Sequence, residues 1–153
     1  THVPGAIAGA VNCMDTSNAL SVEILRNYAV NALTDVTGFG LLGHLSEILR
    51  GSDCGVSLHL NEIPLLPGAL LMARQGIASS LQASNALVLA DFTLSADLDA
   101  EILALLSDPQ TSGGLLASVP AHQADSCLTA LRVQQIEAAM IGEIVPSSTR
   151  RIS

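Results

Sequence analysis

The sequence predicts an α/β (α+β) domain with a mixed sheet covered by helices. Three observations carry that expectation. Segments with apolar residues at helical spacing are interspersed with short strand-like runs. Two dense polar loops, residues 34–44 and 108–114, each adjoin an apolar element. Finally, 49% of the 153 residues are hydrophobic, enough for a core. That core has to be aliphatic, because there is no Trp, one Tyr and two Phe.

Along the chain, residues 1–13 are Gly/Ala-rich and read as an irregular or loosely helical lead-in. Thr16, Ser17 and Asn18 are cap-type residues before a helix carrying Leu20, Ile24, Leu25 and Tyr28 on one face. A short strand is expected at 32–35, then a glycine loop. A second helix follows, with Leu41, Leu42, Leu45, Ile48 and Leu49 on its apolar side. Gly51-Ser52-Asp53 reads as its stop. Val56, Leu58 and Leu60 alternate with Ser57 and His59, the pattern of a half-buried strand.

Pro67 suits the first turn of a short helix over 68–75, closed by Gly76. Residues 77–90 are compatible with loop or helix, and 91–97 with a connector. Asp97 is the expected cap of a helix bearing Leu98, Ile102, Leu105 and Leu106. After the second polar loop come a strand over 115–119 and a helix opened by Pro120, with Ala124, Cys127, Leu128 and Leu131 inward. A strand through 138–145 and a polar tail end the chain. The whole reads as one domain.

Charge narrows the function. The net charge is −8 and lysine is absent, which argues against a nucleic-acid surface. A P-loop is excluded, since it needs its lysine. An acidic protein that handles phosphates has to recruit metal cations or borrow basic residues from another chain or domain. Cys13, Cys54 and Cys127 are widely spaced and form no CxxC, the pattern of free thiols in a reducing, cytoplasmic setting. No run of 18 apolar residues and no signal peptide is present, so no membrane association is expected. The start at Thr1 reads as that of a fragment or a processed product.

Chemistry concentrates in the two loops. In Thr34-Asp-Val-Thr-Gly-Phe-Gly-Leu-Leu-Gly-His44, Asp35 is the candidate metal ligand. Mg²⁺ often takes one or two carboxylates plus phosphate oxygens and water. Thr37, Gly38 and Gly40 stand at a helix N-terminus, where free N–H groups and the helix dipole favour anions. The plainer alternative is a turn and cap, with glycines that merely permit the bend. In the second loop, Thr111, Ser112, Gly113 and Gly114 lead into a strand, so no helix dipole contributes. Either site lining or connector chemistry suits it. His44 reads as a surface or capping residue and His59 as exposed. Glu47 and Arg50 are spaced to pair on one helix.

Both loops, in this order and spacing, resemble signature segments of selenophosphate synthetase (selenide, water dikinase), in the aminoimidazole ribonucleotide synthetase superfamily. Ile63-Pro-Leu-Leu-Pro-Gly68 and Ile141-Gly-Glu-Ile-Val145 add to the resemblance, which covers most of 14–150. It implies the C-terminal domain type of that superfamily, spanning 1–153. The N-terminal ATP-binding domain is absent, together with its catalytic Cys or selenocysteine, its lysine and further metal-binding aspartates.

The family makes selenophosphate from selenide, ATP and water, releasing AMP and phosphate. Position by position, Asp35 matches the motif's Mg²⁺-binding aspartate. Thr34, Thr37, Gly38 and Gly40 match residues near the polyphosphate of ATP, and Thr111 to Gly114 match the second motif. The implied partners are the chain's own N-terminal domain and a second full-length copy in a homodimer. Where many relatives carry an Arg-Asn pair, this chain has Ser84-Asn85. The isolated chain is expected to be inactive. Two alternatives stay open: a related synthase or kinase of the superfamily, and a non-catalytic regulatory module.

Overall fold

The computed structural model describes residues 5–146 and 148–153. Helices α1 (Ala6–Asp15) and α2 (Ala19–Leu25) precede strand β1 (Ala32–Asp35) and helix α3 (Gly40–Ser52). Strand β2 (Gly55–Leu58), a 3-10 turn (Leu60–Glu62), α4 (Ala69–Arg74) and α5 (Gln82–Asn85) follow. A second 3-10 turn (Ala86–Asp91) leads to β3 (Thr93–Leu94), α6 (Ala100–Leu105) and β4 (Leu115–Ser118). Helix α7 (Ala121–Val133), β5 (Gly142–Val145) and β6 (Arg150–Ile152) complete the chain.

The strands form two sheets. One is the antiparallel pair β1–β4; the other has the order β3-β6-β2-β5. The larger sheet is mixed, as expected: β6 runs parallel to both β2 and β3, and β5 antiparallel to β2.

The core lies between α3 and the larger sheet. Leu42, Leu45 and Leu49 of α3 pack with Val56 and Leu58 of β2, Leu60, Phe92, Leu106 and Ile152. Leu42 and Ile152 are fully buried. The alternation expected over 56–60 holds, with Val56, Leu58 and Leu60 inside and His59 exposed. Helix α3 therefore has its apolar stripe fixed in the core, and its N-terminus is pinned just after β1.

Several elements differ from the sequence expectation. Most of the lead-in is the ten-residue helix α1; the part of that expectation falling on residues 1–4 lies outside the described residues. Its Gly and Ala residues carry little amphipathic signal, although only Ala6 is buried. Gly51 stays helical and Asp53 adopts the left-handed C-cap at φ 49. Gly68, not Pro67, sits at the N-cap of α4.

Asp99, not Asp97, caps α6: its Oδ1 accepts the backbone N–H groups of Glu101 and Ile102, both at 3.0 Å. Those bonds, Ile102's first, hold the Asp99 carboxyl below its ordinary pKa. The 91–97 connector contains β3, the closing strand is confined to Gly142–Val145, and the polar tail contains β6. Arg150 and Ile152 pair in parallel with Val56 and Leu58.

Candidate functional site

Strands β1 and β4 bring the two polar loops together. Their antiparallel register sets Thr34 opposite Leu116 and Asp35 opposite Leu115. The backbone stitching continues past the strand ends. Val36 N–H donates to Gly114 O at 2.9 Å, and Gln110 N–H to Thr37 O at 3.0 Å. Asn18, ahead of α2, donates its Nδ2 to Gly113 O at 3.0 Å.

The glycines divide into two kinds. Gly40 has φ +67, and a Cβ there would lie 2.8 Å from Leu106 O. Gly113 is buried, and a Cβ would lie 2.1 Å from Val36 O. Both permit close backbone approach. Gly38 and Gly114 face open space. The N-terminus of α3 is partly occupied already: Gly40 N–H donates to Thr37 O at 3.0 Å and Leu42 N–H to Leu106 O at 3.1 Å. Part of the donor set expected for an anion is thus spent on the protein's own carbonyls.

Beside the stitched loops lies an open cleft of about 370 Å³. Asp35, Thr37, Ser112 and Gly113 line it together with Met14 and Asp15 at the end of α1 and Thr16, Ser17 and Asn18, which follow it. Ser112 is held at φ 51. Thr34, whose hydroxyl donates to Asp35 O at 3.1 Å, stands behind the cleft wall. Gly38, Gly40, Thr111 and Gly114 are also outside the lining.

Asp15 is the residue that sequence reading misses. It lies twenty positions before Asp35 and carries no motif; only the fold makes the two neighbours of one cleft. A faint signal is available, since Asp15 ends α1, where helix carbonyls already concentrate negative charge.

The cleft lining contains two carboxylates and no Lys, Arg or His. The Asp35 side chain is exposed and makes no ion pair among the described residues. An all-oxygen, anionic donor set of this kind suits a hard cation such as Mg²⁺. A bare polyphosphate would be repelled. No group of three or more His, Cys, Asp or Glu that could hold a metal ion gathers among the described residues.

His44 is not a surface residue: it is 8% exposed. Its Nε2 is 3.1 Å from Thr37 Oγ1 and its Nδ1 is 3.2 Å from Glu47 Oε2. Its ring packs against Phe39 with centroids 5.7 Å apart. The expected Glu47–Arg50 pair does not form. Arg50 donates instead to Asp91 Oδ2 at 2.8 Å, and Arg150 reaches the same oxygen at 3.2 Å and Ser46 Oγ at 3.0 Å. The Arg50 hydrogen bond is the main cause holding the Asp91 carboxyl below its ordinary value. Burial pushes the Cys127 thiol up, the opposite of a reactive thiolate. All three cysteines are free.

The family model described as AIR synthase related protein, C-terminal domain, matches residues 12–152. The chain is 41% identical over 138 residues to a selenide, water dikinase of Myxococcus xanthus (strain DK1622), covering 88% of this chain and 39% of that protein. It is 33% identical over 138 residues to one of Clostridioides difficile (strain 630), covering 89% and 40%. The chain thus spans about two fifths of the length of these relatives.

Among solved structures, E. coli HypE, a hydrogenase maturation protein, superposes with a TM-score of 0.65 at 21% identity, over 91% of this chain and 37% of that one. A thiamine-monophosphate kinase from Stenotrophomonas maltophilia K279a gives 0.56 at 17%, over 97% and 47%. At these identities the likeness is one of fold. No helix among the described residues is long and apolar enough to cross a membrane.

Proposed function

Since the chain belongs to the family of AIR synthase related protein C-terminal domains, we propose that it is the C-terminal domain of a selenide, water dikinase. That enzyme makes selenophosphate from selenide, ATP and water, with release of AMP and phosphate. The observation that carries this reading is the β1–β4 pairing, which sets Asp35 beside the 112–113 turn in an anionic cleft free of basic side chains. The identity to selenide, water dikinases supports the choice of substrate.

In this reading Asp35, with Asp15 of the same cleft, holds Mg²⁺ together with ATP phosphates. Bound there, Mg²⁺ neutralises the phosphate charge that the carboxylates would otherwise repel. The chain's own part is positioning, the main protein contribution to phosphoryl transfer. Thr37 and Ser112 present oxygens along the wall, while the buried glycines keep the two loops in contact. No cysteine or lysine is in the cleft lining, and in this reading those parts come from an N-terminal domain. Ile7, Val11 and Met14 offer that domain an apolar strip on α1 that is 41–68% exposed and ends at the cleft. A homodimer of the full-length protein and a cytoplasmic site of action belong to the same proposal.

The test is selenide-dependent AMP formation. The full-length protein is expected to form AMP from ATP with selenide and Mg²⁺, and the 153-residue chain alone to form none. Turnover with thiamine monophosphate or another phosphate acceptor, and none with selenide, overturns the substrate. AMP formation by the isolated chain overturns the division of labour.

A further inference from the structure

We propose that Asn85 is a positioning residue that holds the two site loops at a fixed spacing. Asn85 sits at the end of α5, outside the Asp35 cleft, and lines a separate cleft with Phe39, Arg50 and Asp91. Its single amide nitrogen spends both hydrogens on carbonyls of the two loop segments. Nδ2 donates to Gly38 O at 2.8 Å and to Ser107 O at 3.1 Å. Gly38 belongs to the first loop, and Ser107 is the residue before the second.

The neighbouring bonds show why this side chain can act as a strut. Gln82 Nε2 donates to Ala104 O at 3.2 Å, and Ser79 N–H to Asp108 Oδ1 at 3.1 Å. The 79–85 segment is therefore fastened to 104–108 at three places, with Asn85 the place where it also crosses to Gly38. Asn85 gives the Gly38 carbonyl a partner within the protein in place of water. Gly38 is exposed, and nothing lies within 4 Å of the place its Cβ would take. Thr37, one residue earlier, lines the metal cleft. Fixing Gly38 O thus fixes the Gly38–Phe39 peptide, one residue beyond Thr37.

A primary amide can donate twice from one nitrogen, which a Ser or Thr hydroxyl in this place could not. Aspartate has the same shape but offers acceptors, which would face two carbonyl oxygens. The effect on catalysis rests on the function proposed above; the loop spacing does not.

The experiment uses the full-length protein with Asn85→Ala, Asn85→Asp and, as a control on the adjacent exposed position, Ser84→Ala. The first readout is backbone hydrogen exchange at Val36 and Gln110, whose N–H groups close the loops. Asn85→Ala and Asn85→Asp are expected to speed that exchange at least about tenfold, with Val56 in the core sheet and the Ser84→Ala control unchanged. The second readout is Mn²⁺–ATP affinity, expected to weaken about tenfold in both Asn85 variants and to stay at the wild-type value in the Ser84→Ala control. Unchanged exchange overturns the proposal. So does faster exchange with unaltered Mn²⁺–ATP affinity, which leaves Asn85 a purely structural tie. If Asn85→Ala does not fold, the isosteric Asn85→Asp decides alone. If selenide-dependent turnover is missing from the wild type, the proposed function fails while the exchange result still judges the strut.

Discussion

Gln110 donates its backbone N–H to the carbonyl of Thr37 at 3.0 Å, the same oxygen that accepts Gly40 N–H at 3.0 Å. One carbonyl thus joins the start of α3 to a loop more than seventy residues further on. The two polar loops form one wall, and its geometry depends on how closely the backbones approach.

That approach is tightest at Gly113. Gly113→Ala puts a methyl 2.1 Å from Val36 O and 2.5 Å from Gln110 Oε1. It is expected to destabilise the fold by about 1–3 kcal/mol and to separate the loops. Gly114→Ala meets open space and is expected to stay within about 0.5 kcal/mol of wild type. Chemical denaturation of both variants checks the contrast; equal midpoints would contradict it.

Ser107 is fully buried, and its hydroxyl has no hydrogen-bond partner among the described residues. Its carbonyl, by contrast, is held by Asn85. Removing an unsatisfied buried hydroxyl relieves a desolvation cost. Ser107→Ala is therefore expected to be neutral or stabilising by up to about 1 kcal/mol in urea unfolding. A clear loss of stability would reveal a partner for that oxygen.

Acid tests the Asp91 network. Asp91 has a folded pKa below its ordinary 3.8, chiefly through the Arg50 hydrogen bond. Its stabilising contribution is present above the unfolded value and is lost as pH falls through the lowered folded value. Thermal midpoints of the wild type are expected to fall as pH drops from about 5 towards 3. Asp91→Asn starts lower at neutral pH and shows a shallower fall. Parallel curves for the two proteins would contradict the assignment.

The sequence carried the loops better than their surroundings. Asp35, Thr37 and the glycines stand out because polar density next to apolar runs is a local signal. The α3 stripe is equally local, with Leu42, Leu45 and Leu49 at helical spacing and all buried. What the sequence could not show is pairing at long range. The β1–β4 register joins residues about eighty positions apart, and β6 is three residues long, two of them arginine. Its strand geometry comes from lying between β2 and β3. Asp15 escaped notice for the same reason, and Asn85 stood out only as part of the Ser84-Asn85 pair, with its bonds to Gly38 and Ser107 out of view. The groups each one meets come from elements distant in sequence.

Metal binding at Asp35 is the step on which the functional reading depends, and it can be measured without turnover. Mn²⁺ titration of the full-length protein with ATP present, followed by electron paramagnetic resonance, compares wild type with Asp35→Asn. The substitution keeps the shape of an exposed side chain that makes no ion pair among the described residues, so the thermal midpoint is expected to hold. Mn²⁺ affinity is expected to fall at least about tenfold, and selenide-dependent AMP formation to fall with it. Wild-type Mn²⁺ affinity in Asp35→Asn would contradict the assignment of the cleft as a metal–nucleotide site.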